Sequence, residues 1–182
     1  QVHPDVLAAM SLPLMTHRGP DMAAMLERMA APLQRLFRTS RPVLMSTSSA
    51  TGLMESAVVA GVKQRVLVAV GGYFGERFAE VAEACGKEVV RVMVPEGKTL
   101  EPAQLERFLD GPDVDAVALV HSETSTGALA PLEELAAVVR ARPDVMLLVD
   151  AVTSLGGSPV ETDAWGLDYV FTGALRQESG DY

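Results

Sequence analysis

An apolar run over 145–149 empties into a single carboxylate, Asp150, followed by Ala151-Val152-Thr153-Ser154 and a Gly156-Gly157 pair. The pattern reads as a buried strand opening into a loop. Ligands of open α/β sheets sit beyond the carboxyl ends of the strands, so an acid there is placed to touch one. A turn or helix cap would use the same residue. Three other stations have this form. Val43-Leu44-Met45 runs into Ser46-Thr47-Ser48-Ser49-Ala50-Thr51-Gly52, small and hydroxylated residues opening a helix. Backbone N–H groups, hydroxyls and the positive helix end can cradle an anion there. It is neither a Walker loop nor GxGxxG, and an amply capped helix start would look alike. A strand over 65–70 meets Gly71-Gly72-Tyr73-Phe74-Gly75, whose aromatics can stack on a flat ligand or plug the top of a core. Val120 precedes His121-Ser122-Glu123-Thr124-Ser125-Thr126-Gly127, a hydroxyl cluster with an acid and a histidine. No second histidine or paired carboxylate stands at ligand spacing, so no metal site is expected. No nucleophile elbow is present either.

These stations need a scaffold, and the spacing supplies one. Short helices or strands alternate from Arg41 onward. Strands are expected over 43–45, 65–70, 88–94, 115–120, 145–149 and 168–171. Helices are expected over 52–62, 73–85, 101–109 and 132–141, with Thr99 capping the third of these and Gly86 closing the second. Before them come a short helix over 6–10 and a long one over 20–38, whose Met22, Met25, Leu26, Met29, Leu33, Leu36 and Phe37 share one face. Strands alternating with helices of this length predict an α/β fold of three layers around a mostly parallel sheet.

The totals narrow the function classes. The 182 residues suffice for one domain with a sizeable core. A net charge of −9 argues against nucleic acid or an anionic membrane as partner. No apolar run is long enough to span a bilayer. Cys85 is the one cysteine, which excludes an internal disulfide and suits a cytoplasmic protein. The opening Gln1-Val2-His3-Pro4 has no signal-peptide pattern and no initiator Met, so a few preceding residues are expected.

Together the four stations would set an anion cradle, an aromatic plate, a hydroxyl cluster and a carboxylate on one rim. A flat cationic heterocycle bearing a phosphate satisfies all four, and pyridoxal 5'-phosphate is such a molecule. The motifs VHPDVLAAM with His17-Arg18, SSATGLMESAV, GGYFGERF, HSETSTG with PLEEL, and LLVDAVTSLGG with GLDYVFTG follow in order along nearly the whole chain. In these the sequence resembles the class V aminotransferases, fold type I pyridoxal-phosphate enzymes, nearest the alanine–glyoxylate and serine–pyruvate aminotransferase group. The resemblance implies that Ala50 and Thr51 bind the cofactor phosphate, with Ala50 standing where the family usually has glycine. It implies that Phe74 stacks on one ring face and Val152 on the other. Thr124 would hydrogen-bond near the ring oxygen, and Asp150 would partner the ring nitrogen. It further implies a homodimer, with His3-Pro4 and His17-Arg18 as structural or subunit-contact residues.

One departure is serious. The family continues from Thr172-Gly173 into Ser-Gln-Lys, whose lysine links to the cofactor and later moves the α-proton. Here the chain reads Thr172-Gly173-Ala174-Leu175-Arg176-Gln177, and Arg176 falls on that position. Arginine is always protonated and cannot serve as a free amine. The lysines present, Lys63, Lys87 and Lys98, are expected on the surface. The expected explanation is that residues are omitted or modified there; truncation and a member that has lost catalysis are the rivals. No catalytic residue is therefore assigned within the chain. Residues 1–182 are read as the cofactor-binding large domain, incomplete at its C-terminal end. The expected activity is transfer of an amino group from a small amino acid, alanine or serine, to a 2-oxo acid, glyoxylate or pyruvate. The alternatives are a cysteine desulfurase-like lyase, for which Phe74 stands in place of a histidine and Cys85 sits in a helix, and a non-catalytic relative without the lysine.

Overall fold

A computed structural model describes residues 3–111 and 113–173. The runs that read as strands are apolar on both sides, so they must be covered on both faces. They form one parallel sheet of β1 (Arg65–Val70), β2 (Glu88–Met93), β3 (Ala116–Val120), β6 (Met146–Asp150) and β7 (Tyr169–Phe171), in the order β2-β1-β3-β6-β7. Between β3 and β6 lie the two-residue strands β4 (Ser122–Glu123) and β5 (Ala128–Leu129), paired antiparallel.

Alternation along the strands divides the core in two. Val66, Val68, Val70, Ala116, Ala118 and Leu148 face α3 (Ala50–Gly61) and α4 (Tyr73–Ala84), meeting Met54, Ala57, Val58, Phe78, Ala79 and Ala82. Leu67, Val117, Leu119, Leu147 and Val149 face α5 (Pro102–Leu109) and α6 (Leu132–Arg140), meeting Leu105, Leu132, Leu135, Ala136 and Val139. This is the three-layer α/β architecture the sequence predicts. From β1 the chain moves outward to β2, and from β3 it moves the other way to β6 and β7. The direction switches between β1 and β3, and a crevice opens at such a switch.

Three local expectations change. Residues 43–45 join no sheet among the described residues, and Leu44 is exposed. A strand is stable only with a ladder partner, and here a groove of about 540 Å³ separates Val43, Leu44 and Met45 from β7. Thr99 does not cap α5: Glu101 does, in a reciprocal capping box with Gln104. The apolar stripe of α2 (Pro20–Phe37) buries Phe37 and leaves Leu26 and Leu36 exposed. The N-terminal α1 (Pro4–Met10) buries nothing, and α7 (Thr162–Trp165) is a short turn of helix before β7.

Candidate active site

One cavity of about 130 Å³ opens where the two inner helices begin. Its lining is Ala50, Thr51, Met54, Phe74, Val120, Thr124, Asp150, Val152 and Thr153. All six residues singled out from the sequence, Ala50, Thr51, Phe74, Thr124, Asp150 and Val152, thus meet on one wall system. Met54, Val120 and Thr153 are additions. Met54 lies one helical turn beyond Ala50, so the face that presents Ala50 presents it too.

Each side chain is placed by an element that has little freedom. Ser49 caps α3, its hydroxyl accepting the Gly52 N–H at 3.2 Å. The Ala50 and Thr51 N–H groups at the same helix end have no acceptor among the described residues. Phe74 sits in the first turn of α4, with the Tyr73 ring edge-on to it at 5.2 Å between centroids. Thr124 follows β4, and its hydroxyl is hydrogen-bonded to that of Thr153. Asp150 ends β6, in register with Val120 of β3 and Phe171 of β7. It points to the same side of the sheet as Leu148, the side covered by α3 and α4. The last described residue, Gly173, packs against Ala50: a β-carbon there would stand 3.6 Å from the Ala50 methyl carbon.

Asp150 is the electrostatic centre. Only 3% of it is exposed. Burial pushes its carboxyl up to about 6, opposed by the Val152 N–H and aided by the negative charge of Glu123. That N–H donates to Oδ1 at 2.9 Å. No lysine, arginine or histidine forms an ion pair with Asp150 among the described residues. His121 is buried beside β3, and burial lowers it to about 4, so it is neutral. Its Nδ1 has no partner among the described residues, and it does not line the cavity. Lys63 and Lys98 are exposed and Lys87 donates to the Lys63 carbonyl, all away from the cavity. Cys85 is the C-cap of α4, at the opposite end from Phe74. Arg176, expected at the family's lysine position, lies outside the described residues. Among the described residues no group of His, Cys, Asp and Glu could hold a metal ion.

Comparison with known proteins decides the family. The model of the aminotransferase class-V family matches residues 16–175. The chain belongs to the class V aminotransferases. An uncharacterized aminotransferase of Methanocaldococcus jannaschii is 39% identical over 96% of the chain, which covers 46% of that relative. The crystal structure of alanine–glyoxylate aminotransferase from Nostoc superposes with a TM-score of 0.88 at 35% identity, over 93% of this chain and 46% of that one. An aspartate aminotransferase of subgroup IV from Thermus thermophilus gives 0.87 at 36% identity, over 95% and 49%. The chain therefore spans about half the length of the relatives it matches. The cofactor of class V aminotransferases is pyridoxal 5'-phosphate.

Proposed function

We propose that this chain is the cofactor-binding large domain of a pyridoxal-phosphate-dependent aminotransferase. It would pass the amino group of a small amino acid, alanine or serine, to a 2-oxo acid, glyoxylate or pyruvate. The observation that carries the reading is the cavity itself. A buried acid and a pair of helix N–H groups, neither with a partner cation or acceptor among the described residues, face one space with an aromatic plate and a hydroxyl pair.

The residues fit the cofactor. The Ala50 and Thr51 N–H groups, without an acceptor among the described residues, and the Thr51 hydroxyl suit a phosphate at the positive end of α3. Alanine instead of the family's usual glycine at position 50 leaves this intact, because the contact is made by the backbone. Phe74 and Val152 would hold the ring between them, and Thr124 would donate to its oxygen. Asp150 would hold the proton on the ring nitrogen, its carboxylate and the ring cation each favouring the other's charge. The cofactor supplies the electron sink that takes the pair released when the substrate α-C–H bond breaks. Asp150 would keep that sink protonated, and the apolar walls of Met54, Val120 and Val152 would exclude water. No lysine stands among residues 174–182, so the amine that moves the α-proton is assigned to no residue of this sequence. The two structural relatives named above differ in donor, alanine in one and aspartate in the other. The proposed small donor follows the first of these.

The reading extends to a homodimer acting in the cytoplasm. The exposed apolar surface of α1 supports a second copy, and one free half-buried thiol suits a reducing compartment. No described helix is long and apolar enough to cross a membrane.

The test uses the full-length protein with its complete C-terminal part. Loaded with pyridoxal 5'-phosphate, it is expected to absorb in the visible and to change that spectrum when alanine or serine is added. A spectrum unmoved by any amino acid would sink the proposal.

A further inference from the structure

The first turn of α4 is capped from outside its own segment. Its N-cap residue, Gly72, has no side chain to offer, which leaves the leading N–H groups without a local acceptor. Glu123, only 5% exposed, fills that role from the β4 hairpin. Its Oε2 accepts the Gly75 N–H at 3.0 Å, and its Oε1 accepts the Phe74 N–H at 3.3 Å. The same Oε1 accepts the Ser125 N–H at 3.1 Å and the Ser125 hydroxyl at 2.7 Å. The Ser125 oxygen in turn accepts the Tyr73 N–H at 3.0 Å. Three consecutive helix N–H groups thus end on one glutamate–serine unit. The fit is tight, because a β-carbon at Gly72 would collide with Ser125 and Glu123.

The residues on either side of this unit are the ones that face the cavity. Phe74 donates to Glu123, and Thr124 stands between Glu123 and Ser125 in the chain. We propose that Glu123, acting with Ser125, is a positioning residue for the cofactor: it locks the Phe74 plate and the Thr124 hydroxyl into one fixed relation. This rests on the function proposed above. A plain helix cap would be satisfied by any local acceptor. Glu123 instead ties the helix that carries the plate to the hairpin that carries the hydroxyl. A turn within the hairpin, with the Gly127 N–H donating to the Glu123 carbonyl at 2.8 Å, holds the other end. The carboxylate also has no lysine or arginine partner among the described residues, so the helix dipole and the four donors are what balance it.

The test is run on the full-length protein with pyridoxal 5'-phosphate. In Glu123→Gln the amide nitrogen faces the Gly75 N–H, donor against donor. Cofactor affinity is expected to fall about tenfold, the order lost with one hydrogen bond to a charged group. The visible circular dichroism per bound cofactor is expected to fall with it. Phe74→Ala should do the same, and Glu123→Gln combined with Phe74→Ala should lose less than the product of the two single losses. If Glu123→Gln lowers only the melting temperature of cofactor-free protein, leaving affinity and dichroism unchanged, the inference is overturned. Losses that multiply in the double variant overturn it as well. Should Glu123→Gln not fold, Ser125→Ala carries the test, with the same expected loss and the same overturning results. Wild-type protein that takes up no cofactor would remove the proposed function and this inference together, whereas loaded wild type beside an unaffected Glu123→Gln removes the inference alone.

Discussion

Burying Asp150 with no cation paired to it among the described residues costs the fold stability that a ring cation would return. The native carboxyl holds its proton up to about pH 6, whereas an ordinary one loses it near 3.8. Between those values the native state binds more protons than the unfolded one, so stability falls as pH rises through the window. Above it the cost is complete, about 3 kcal/mol for a shift of roughly two pH units. Asp150→Asn removes that cost and keeps the acceptor for the Val152 N–H. We therefore expect the cofactor-free variant to be more stable than wild type at pH 7.5, by about 1–3 kcal/mol in urea unfolding. The gap should close below pH 4. Cofactor affinity should move the opposite way and fall at least tenfold, about 1.4 kcal/mol. A variant less stable than wild type at pH 7.5 would contradict the burial argument. His121 pulls in the other direction. Burial holds it neutral down to about 4, against an ordinary value of 6.5, so acid unfolding gains a proton that the native state refuses. In the Asp150→Asn background, where the opposing carboxyl is gone, stability is expected to fall from pH 6.5 to 4. A flat profile there would mean that His121 takes up its proton in the folded protein.

At the scale of elements, α4 is the one that cannot shift. Its first turn lies so close to β1 that a β-carbon on Gly75 would stand 2.8 Å from the Ala69 carbonyl oxygen and 3.0 Å from the Val70 Cα. Both are backbone atoms and cannot rotate away. Alanine is the better helix former by about 1 kcal/mol, yet overpacking a buried site costs about 1–3 kcal/mol. Gly75→Ala is expected to destabilise on balance in urea unfolding and to weaken cofactor binding, because the turn carrying Phe74 must move. An unchanged affinity would mean that Phe74 does not hold the ring. How far these elements can be read in advance depends on the range of the interactions that make them. The start of α4 at Tyr73 follows from the Gly71-Gly72 pair, and β1, β3 and β6 follow from continuous apolar runs. The β4–β5 hairpin has two residues per strand, too few to show a period. Glu123 bonds to helix N–H groups 48 and 49 residues away, so its role has no local signature. Thr124 was legible only through the motif around it, and the clamp that positions it was not.

For the molecule as a whole, what stays unpartnered is as informative as the core. Residues 43–45 have the β-branched and apolar character of a strand but stand across a groove from β7. Propensity marked the segment; a ladder requires a neighbour, and that is a property of the assembled sheet. The N-terminal arm poses the same question between molecules. Val6, Leu7, Met10, Leu12 and Leu14 are all exposed, and no residue of α1 is buried. A lone chain gains nothing by presenting such a stretch to water. Under the homodimer proposed above, a second copy covers it. Aspartates there would place charges in a desolvated seam, where an unpaired charge costs several kcal/mol. On the free arm they would cost almost nothing, because these positions touch no core. Leu12→Asp combined with Leu14→Asp in the full-length protein is therefore expected to leave the far-ultraviolet dichroism unchanged. In sedimentation velocity it should move the protein from dimer to monomer at micromolar concentration. If the variant sediments as wild type does, the arm is not the seam and the second copy must dock elsewhere.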